Sequence, residues 1–250
     1  MKDTLYIAAK APRAQITKTR LGRAIGHDSA VALYKAFLSD LAARFADAPF
    51  ALGWYVTPAD AWEDIAPLVS RSGRVSIQGE GDWTERQRQL FREAAGGEER
   101  VVLIASDSPQ LTVGVVEEAF HKLDRHDLVF GPTYDGGYYL IGMRGFHDVL
   151  SGIPMSTGTV LDDITSRAQQ SGLSVGWVET TFDIDEIEDL GHLRRVAATR
   201  ADLAATRKAL EALGLYEDGS LTSNEFAETQ PIDTGPPTGP APPGHKEESR

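Results

Sequence analysis

Short apolar runs alternate with helical patterns along most of this chain, and the alternation constrains the fold more than any other feature. The runs LYIAAK, FALGWYV, RVSIQG and VVLIAS are each followed by a segment with helical spacing. This order is typical of βαβ units, whose parallel strands form a sheet covered by helices. The first long helix is expected to begin near Asp28, its predicted N-cap, and to cover the sheet with Val31, Tyr34, Phe37, Leu38, Leu41 and Phe45.

A second pattern interrupts the alternation. The strand DLVFGP is followed by GYYLIGM, and only a glycine turn separates them, which leaves no room for a crossover helix. We therefore expect an antiparallel element within an otherwise parallel sheet. SVGWVE indicates one further strand, and FDIDEIEDL is expected to begin a helix that presents Leu190, Leu193, Val196 and Leu203. The predicted fold class is α/β with a mostly parallel, mixed central sheet.

The length of 250 residues suits one α/β domain, which we predict for residues 1–215. Residues 216–250 carry seven acidic and two basic residues, are rich in proline and glycine, and lack apolar periodicity. This composition predicts a disordered acidic tail. No apolar run approaches the roughly 20 residues of a membrane span, and the start is too weakly apolar for a signal peptide. The expected location is cytoplasmic.

Several classes of protein are disfavoured. The chain has no cysteine, which excludes disulfides, thiolate metal sites and a cysteine nucleophile. A net charge of −12 argues against generic binding to nucleic acid. The dinucleotide fingerprint and the Walker loop are missing, the histidines do not cluster at metal-ligand spacing, and no serine lies in a GxSxG turn.

A basic loop follows the first predicted strand. The segment KAPRAQITKTRL carries Lys10, Arg13, Lys18 and Arg20. Ligands of open α/β sheets bind outside the carboxyl ends of the strands, so this loop is suitably placed to hold a diphosphate. A solvated basic loop on an acidic protein is the alternative interpretation.

Carboxylates follow two other strands. Asp107 comes directly after the fully apolar run VVLIAS, where it could bind Mg²⁺ or Mn²⁺ together with nucleotide phosphates. Asp183 and Asp185 follow the last strand, and acidic strand ends at one sheet edge can converge on one metal. Two structural alternatives remain open: SDSP could cap the next helix, and the acidic residues of FDIDEIEDL could only favour a helix N-terminus.

Two further loops supply candidate ligand residues. In QGEGDWTER, the residues that could contact a nucleobase or ribose are Gln78, Gly79, Asp82 and Arg86. In GPTYDGGYYLIG, the glycines suggest a tight loop at a ligand, and Asp135 could bind an acceptor hydroxyl or only shape the turn. The predicted acceptor loop also includes Gly136, Gly137 and Tyr138.

Taken together, six motifs resemble a family of bacterial proteins with the glycosyltransferase A-type (GT-A) fold, a Rossmann-like three-layer α/β/α architecture. The family is often described as glycosyltransferases of arsenosugar-biosynthesis type, and the resemblance covers about residues 4–200. The motifs are KAPRAQITKTRL, QGEGDWTER, SDSPQL, GPTYDGGYYLIG, GIPMSTGTVL and FDIDEIEDL. More distantly, the chain looks like the molybdenum-cofactor and phospholactate guanylyltransferases.

The resemblance implies roles for individual residues. Lys18 and Arg20 would hold the nucleotide's phosphates, Asp107 would bind the metal, and the carboxylates of FDID would complete the site. Three positions depart from the family pattern: Gln15 replaces a glycine, the pair Trp83–Thr84 replaces Leu-Gly, and Met155 replaces a tryptophan. The departures concern the donor loop and acceptor specificity.

The leading hypothesis is a metal-dependent glycosyltransferase that moves a sugar from a nucleotide-diphospho-sugar to a small-molecule acceptor. Asp135 is the candidate for orienting or deprotonating the acceptor hydroxyl. The first alternative is a guanylyltransferase-like nucleotidyltransferase that releases pyrophosphate. The second is a nucleotide-binding module without catalysis, motivated by the altered positions Gln15 and Met155.

Overall fold

The computed structural model describes residues 2–69, 73–94, 99–154 and 157–216. They belong to one compact unit that ends at Tyr216, whose side chain packs against the core. The rest of the predicted tail lies outside the described residues, as does Met155. Within the described part of the chain, no helix is long and apolar enough to cross a membrane.

Among the described residues, a central sheet of seven strands organises the fold, in the order β3-β2-β1-β4-β6-β5-β7. Strand β6 runs antiparallel to both neighbours, whereas the other described pairs are parallel, so the predicted mixed, mostly parallel sheet is confirmed. The strands are β1 (Asp3–Lys10), β2 (Ala51–Thr57), β3 (Arg74–Ile77), β4 (Arg100–Ala105), β5 (Leu128–Pro132), β6 (Tyr138–Arg144) and β7 (Val175–Trp177).

Helices cover both faces of the sheet. Those of the described residues are α1 (Thr19–Ile25), α2 (His27–Phe45), α3 (Ala61–Ile65), α4 (Trp83–Ala94), α5 (Val113–Lys122), α6 (Val160–Gln170), α7 (Leu190–Thr199) and α8 (Ala204–Ala212). Apolar residues of α4 and α6 pack on one face, and those of the other helices pack on the opposite face. The result is the predicted three-layer α/β/α architecture.

Alternate residues of the central strands enter the two cores. Leu5 and Ile7 of β1 pack on the α2 side, while Tyr6 between them packs on the α4 side. In β4, Ile104 packs on the α2 side and Leu103 packs on the α4 side. Because both faces of a central strand are buried, such a strand is apolar throughout, and this is why VVLIAS was informative.

The structure corrects two details of the helix prediction and decides which residue caps the helix after β4. Helix α2 begins at His27 after Gly26, so Asp28 lies in the first turn and is not the N-cap. Leu203 lies in a separate 3-10 turn because α7 ends at Thr199. The helix after β4 is capped by Thr112, whose hydroxyl accepts from the Val115 amide at 3.2 Å, so SDSP does not cap it.

A buried carboxylate docks the last helix onto the domain. Asp40 of α2 is 5% exposed, and its two oxygens accept from the backbone amides of Ala205 and Thr206 at 2.9 and 2.8 Å. These amides belong to the first turn of α8, where intrahelical partners are lacking. The sequence pattern gave no sign of this contact.

Candidate functional site

A cavity of about 600 Å³ opens at the carboxyl edge of the sheet. It is bordered by the ends of β1 and β4, the loop after β1, the start of α4 and the loop after β7. Most of the predicted site residues line it: Lys10, Lys18, Arg20, Gln78, Asp82, Arg86, Asp107, Tyr138, Asp183 and Asp185. Gly79, Asp135, Gly136 and Gly137 are outside its lining.

The three predicted metal ligands converge. Carboxylate oxygens of Asp107, Asp183 and Asp185 all lie within 4.8 Å of one another. The chain after β7 reaches β4 by running back past β5, where the Thr181 amide donates to the carbonyl of Pro132 at 3.1 Å. Positions that are far apart in the sequence are thereby joined at one sheet edge.

Crowding of like charges perturbs this cluster. Burial and the neighbouring charges of Asp107 and Asp185 raise the pKa of Asp183 to about 6. Burial also acts to raise the pKa of Asp185, but the contact with Lys18 outweighs it and the pKa is lowered. At Asp183 the repulsion from the neighbouring carboxylates is therefore not fully offset, and a bound cation would relieve it.

The donor set fits a hard divalent cation. Oδ1 of Asp107 is buried and accepts no hydrogen bond from the described residues. An orphaned buried carboxylate oxygen is costly unless a cation or water satisfies it. Oxygen ligands are those that Mg²⁺ and Mn²⁺ prefer. The three aspartates would hold such an ion together with oxygens from a bound ligand.

Asp189 holds the backbone of the acidic loop that precedes α7. Its Oδ2 accepts from the backbone amides of Asp185 and Glu186 at 2.8 and 2.7 Å. Asp189 directly precedes α7, but its side chain caps no amide of that helix and binds the loop instead. The side chains of Asp183 and Asp185 remain in the cavity lining.

The cations of the basic loop divide into two groups. Lys10, Lys18 and Arg20 line the cavity. Arg13 instead forms salt bridges with Asp60 and Asp64, at 3.0 and 2.6 Å, and does not contribute to the lining. The predicted diphosphate loop therefore offers three cations rather than four.

Also in the cavity lining, Gln78 and Arg86 form a polar pair. The Gln78 side-chain amide donates to the carbonyl of Tyr55 at 2.8 Å, and Arg86 approaches Gln78 Oε1 at 3.4 Å. Asp82 accepts from the Glu85 amide at 2.9 Å at the start of α4. A Cβ at Gly79 would meet the terminal amide of the Gln89 side chain.

The predicted acceptor loop is a tight turn. Oδ1 of Asp135 accepts from the Thr133 hydroxyl and from the Gly137 amide, so the carboxylate shapes the turn. Gly136 has φ +87° and faces the carbonyl of Gly158, which leaves no space for a Cβ. Tyr138 extends into the cavity lining and exchanges hydrogen bonds with the side chain of Gln87 on α4.

The sequence analysis did not identify Tyr34 as a site residue, because its position suggested only the core face of α2. Tyr34 lines the cavity, its hydroxyl lies 2.7 Å from Ser106 Oγ, and it accepts from the Lys10 amide at 3.1 Å. It thus joins the ends of β1 and β4 beneath the site. Burial raises its pKa. No spacing in the sequence could have revealed this link.

Two residues of the loop after β1 have left-handed backbones, Gln15 with φ 65° and Lys18 with φ 48°. Glycine adopts this conformation at little cost, whereas other residues lose about 1 kcal/mol or more. Gln15 was noted as a departure from a family glycine, and the backbone explains why glycine suits the position.

The comparisons with known proteins agree with this fold. A family model described as "Uncharacterized protein conserved in bacteria" (DUF2064) matches residues 41–157. A crystal structure from Desulfovibrio desulfuricans G20, provisionally named a nucleotide-diphospho-sugar transferase, has 28% identity and a TM-score of 0.77, covering 87% of this chain and 100% of that one. The chain has the fold of the nucleotide-diphospho-sugar transferases.

More distant structures share the fold alone. A nucleotidyl transferase from Methanothermobacter thermautotroptrophicus is 13% identical with a TM-score of 0.53, covering 80% of this chain and 99% of that one. A CMP:2-keto-3-deoxy-manno-octonic acid synthetase complexed with CTP is 12% identical with a TM-score of 0.52, covering 79% and 99%. Among proteins with curated functions, no sequence matches this chain.

Proposed function

We propose that this chain is a metal-dependent glycosyltransferase that moves a sugar from a nucleotide-diphospho-sugar to a small-molecule acceptor. One observation carries the proposal: the carboxylates of Asp107, Asp183 and Asp185 meet within 4.8 Å in a cavity that is also lined by four cationic side chains, Lys10, Lys18, Arg20 and Arg86. The 28% identity with a provisionally named nucleotide-diphospho-sugar transferase supports the donor class. The resemblance to arsenosugar-type glycosyltransferases points the same way.

The cations would stabilise the leaving group. Lys10, Lys18 and Arg20 lie along the cavity where the donor's diphosphate would bind, and their charges would offset the negative charge that develops as the sugar departs. Asp107, Asp183 and Asp185 would hold Mg²⁺ or Mn²⁺. When bound, the ion would supply further charge neutralisation at the phosphates.

The acceptor would react from the side of the 133–138 turn. Its hydroxyl oxygen would form the bond to the anomeric carbon, while the bond from that carbon to the phosphate oxygen breaks and the nucleoside diphosphate leaves with the electron pair. Asp135 is the proposed base for the hydroxyl proton. Its Oδ1 is engaged by Thr133 and Gly137, so Oδ2 would take the proton.

The nucleoside would bind near α4. Gln78 presents Oε1 as an acceptor, since its amide group is committed to Tyr55, and Arg86 offers donors beside it. Asp82 and the neighbouring backbone at Gly79 complete our proposed nucleoside site. Residues 1–215 would form the transferase domain, and residues 216–250 would form an acidic tail.

Nucleotidyl transfer is the second candidate, because two of the structures that share the fold are a nucleotidyl transferase and a CMP-sugar synthetase. The same acidic cluster and cations would serve this reaction, in which a substrate oxygen attacks the α-phosphate of a nucleoside triphosphate. Pyrophosphate is then the product, whereas glycosyl transfer releases a nucleoside diphosphate.

The test is a product assay across UDP-, GDP-, ADP- and dTDP-sugars and the four nucleoside triphosphates, with Mn²⁺, Mg²⁺ or EDTA and a panel of acceptor metabolites. Release of a nucleoside diphosphate that requires the metal supports the glycosyltransferase. Pyrophosphate release from a triphosphate alone replaces it with the nucleotidyltransferase. Binding without turnover of any donor leaves the non-catalytic binding module as the better account.

A further inference from the structure

Lys18 is a buried cation held against two of the proposed metal ligands. Its side chain is 4% exposed, and Nζ lies 3.1 Å from Asp107 Oδ2 and 2.9 Å from Asp185 Oδ1. Burial opposes its charge, but the two carboxylates more than compensate and raise its pKa above the ordinary value. In the ligand-free protein, this ammonium group offsets part of the negative charge that would otherwise attract a divalent cation.

The backbone that carries Lys18 is fixed. Lys18 lies in the left-handed region with φ 48° and ψ 45°, a conformation that persists only where the surroundings determine it. Its carbonyl accepts from the Gly22 amide at 2.8 Å, and the preceding Thr17 amide donates to the backbone carbonyl of Arg13. The side chain of Arg13 is in turn held by two carboxylates. The movable part is therefore the four-carbon side chain, whose ammonium can change partners without a backbone shift.

Two cations cannot share these carboxylates at contact distance without strong repulsion. A metal held by Asp107 and Asp185 would lie beside the present position of Lys18 Nζ, since that nitrogen contacts both side chains. Metal binding is therefore opposed while the ammonium keeps this position, and a buried ammonium that moves away needs another anion as its partner. The phosphates of a donor bound in the same cavity would supply it.

We propose that Lys18 occupies the place of the metal in the ligand-free site and makes tight metal binding conditional on the donor's phosphates. This inference rests on the proposed transferase function. On donor binding, the Lys18 ammonium exchanges carboxylate for phosphate oxygens, and the freed carboxylates bind the ion. Metal and donor then each strengthen the binding of the other, by the same factor. Lys18 is in this sense a positioning residue that orders the loading of the site.

The deciding experiment measures Mn²⁺ binding by isothermal titration calorimetry without any nucleotide. Lys18→Met is expected to bind Mn²⁺ about tenfold more tightly than the wild type, within the usual range of such couplings. The matched control is Arg20→Met, which removes a cation that is 61% exposed and 3.9 Å from Asp185. Because solvent screens that charge, its removal is expected to change Mn²⁺ affinity less than about threefold.

A second arm uses UDP and GDP as probes, each titrated with and without Mn²⁺. The wild type is expected to bind whichever of the two nucleotides it recognises more tightly when Mn²⁺ is present. In Lys18→Met, this increase in nucleotide affinity caused by Mn²⁺ is expected to be about tenfold smaller. Lys18→Gln keeps a hydrogen-bond donor without the charge and should show the same gain in Mn²⁺ affinity. It replaces Lys18→Met if circular dichroism shows that the latter does not fold.

The change in Mn²⁺ affinity on substitution of Lys18 or Arg20 decides whether the exchange occurs. Mn²⁺ affinity that is unchanged in both Lys18 variants, or that rises as much in Arg20→Met, overturns the exchange. A gain confined to the Lys18 variants supports it. If no nucleotide sugar is turned over but the gain appears, the proposed reaction fails while Lys18 remains the occupant of a metal site. If a nucleotide sugar is turned over but neither Lys18 variant gains Mn²⁺ affinity, the proposed reaction stands and the proposed role of Lys18 fails.

Discussion

The backbone amide of Ile184 donates a hydrogen bond of 3.0 Å to the carbonyl oxygen of Asp107. This contact joins the loop after β7 to the end of β4, although β6 and β5 lie between these strands in the sheet. It places Asp183 and Asp185 on either side of a residue that is anchored beside Asp107. The acidic cluster is therefore a product of backbone pairing and not only of its side chains.

The first prediction concerns the metal. Asp107→Asn keeps the size of the side chain and removes the charge of a proposed ligand, so we expect metal-dependent turnover to fall about 100-fold or more. The control is Asp148→Asn, which alters a carboxylate bound to Arg88 outside the cavity lining. Steady-state rates across a Mn²⁺ series check this, and equal turnover in the two variants would remove Asp107 from the mechanism.

The second prediction concerns the turn beside the cavity. Gly136→Ala places a Cβ against the carbonyl of Gly158 at φ +87°, and we expect a loss of about 2–4 kcal/mol in the free energy of unfolding. Gly152→Ala shares the positive φ of +67° but meets open space, so about 1 kcal/mol should be lost. Urea denaturation separates the steric cost from the conformational one. Equal losses would mean that the turn relaxes.

The third prediction is a pH dependence of stability. Hydrogen bonds from the Ser174 amide and hydroxyl lower the pKa of Asp127 from 3.8 to about 2. A carboxyl group whose pKa is lower in the folded state than in the unfolded state stabilises the protein at pH values above its unfolded-state pKa. This stabilisation is lost as the pH falls through the folded-state pKa. Asp127→Asn should therefore cost about 1–2 kcal/mol at pH 7 and close to nothing near pH 2. A cost that does not change with pH would refute the electrostatic explanation.

The fourth prediction concerns the docking of α8. Asp40→Ala removes the acceptor of two backbone amides in the first turn of α8, and we expect a loss of about 2 kcal/mol. Asp28→Ala is the comparison, since Asp28 is exposed in the first turn of α2 and its effect should be about 0.5 kcal/mol. Thermal unfolding monitored by circular dichroism measures both. Similar effects would mean that water replaces the Asp40 contacts.

The fifth prediction addresses the loop after β1. Gln15→Gly should stabilise the protein by up to about 1 kcal/mol, because glycine adopts φ 65° without the steric cost that glutamine incurs. Gln15→Ala keeps the Cβ and should bring no such gain. The melting temperatures of the two variants give the comparison, and a gain in both would point to the glutamine side chain instead of the backbone.

The sequence indicated the site well where a residue directly ends a strand. Asp107 follows an apolar run, so its position at the sheet edge could be predicted from burial of that strand on both faces. The pair Asp183 and Asp185 was predicted on weaker grounds, because it follows the last strand of the sheet without directly ending it. Gly79 and Arg13 were less predictable, since one accommodates Gln89 and the other binds Asp60 and Asp64, contacts that link separate parts of the chain.

The sequence by itself determined the α/β class and the mixed sheet, because each depends on periodicity or on turn length within a short segment. Only the tertiary structure decided that Tyr34 joins β1 to β4 and that Lys18 lies between Asp107 and Asp185. Those contacts depend on strand order and on the conformation of one loop. Neither leaves a periodic trace in the chain, since a side chain's partner is set by distances in space and not by its neighbours in sequence.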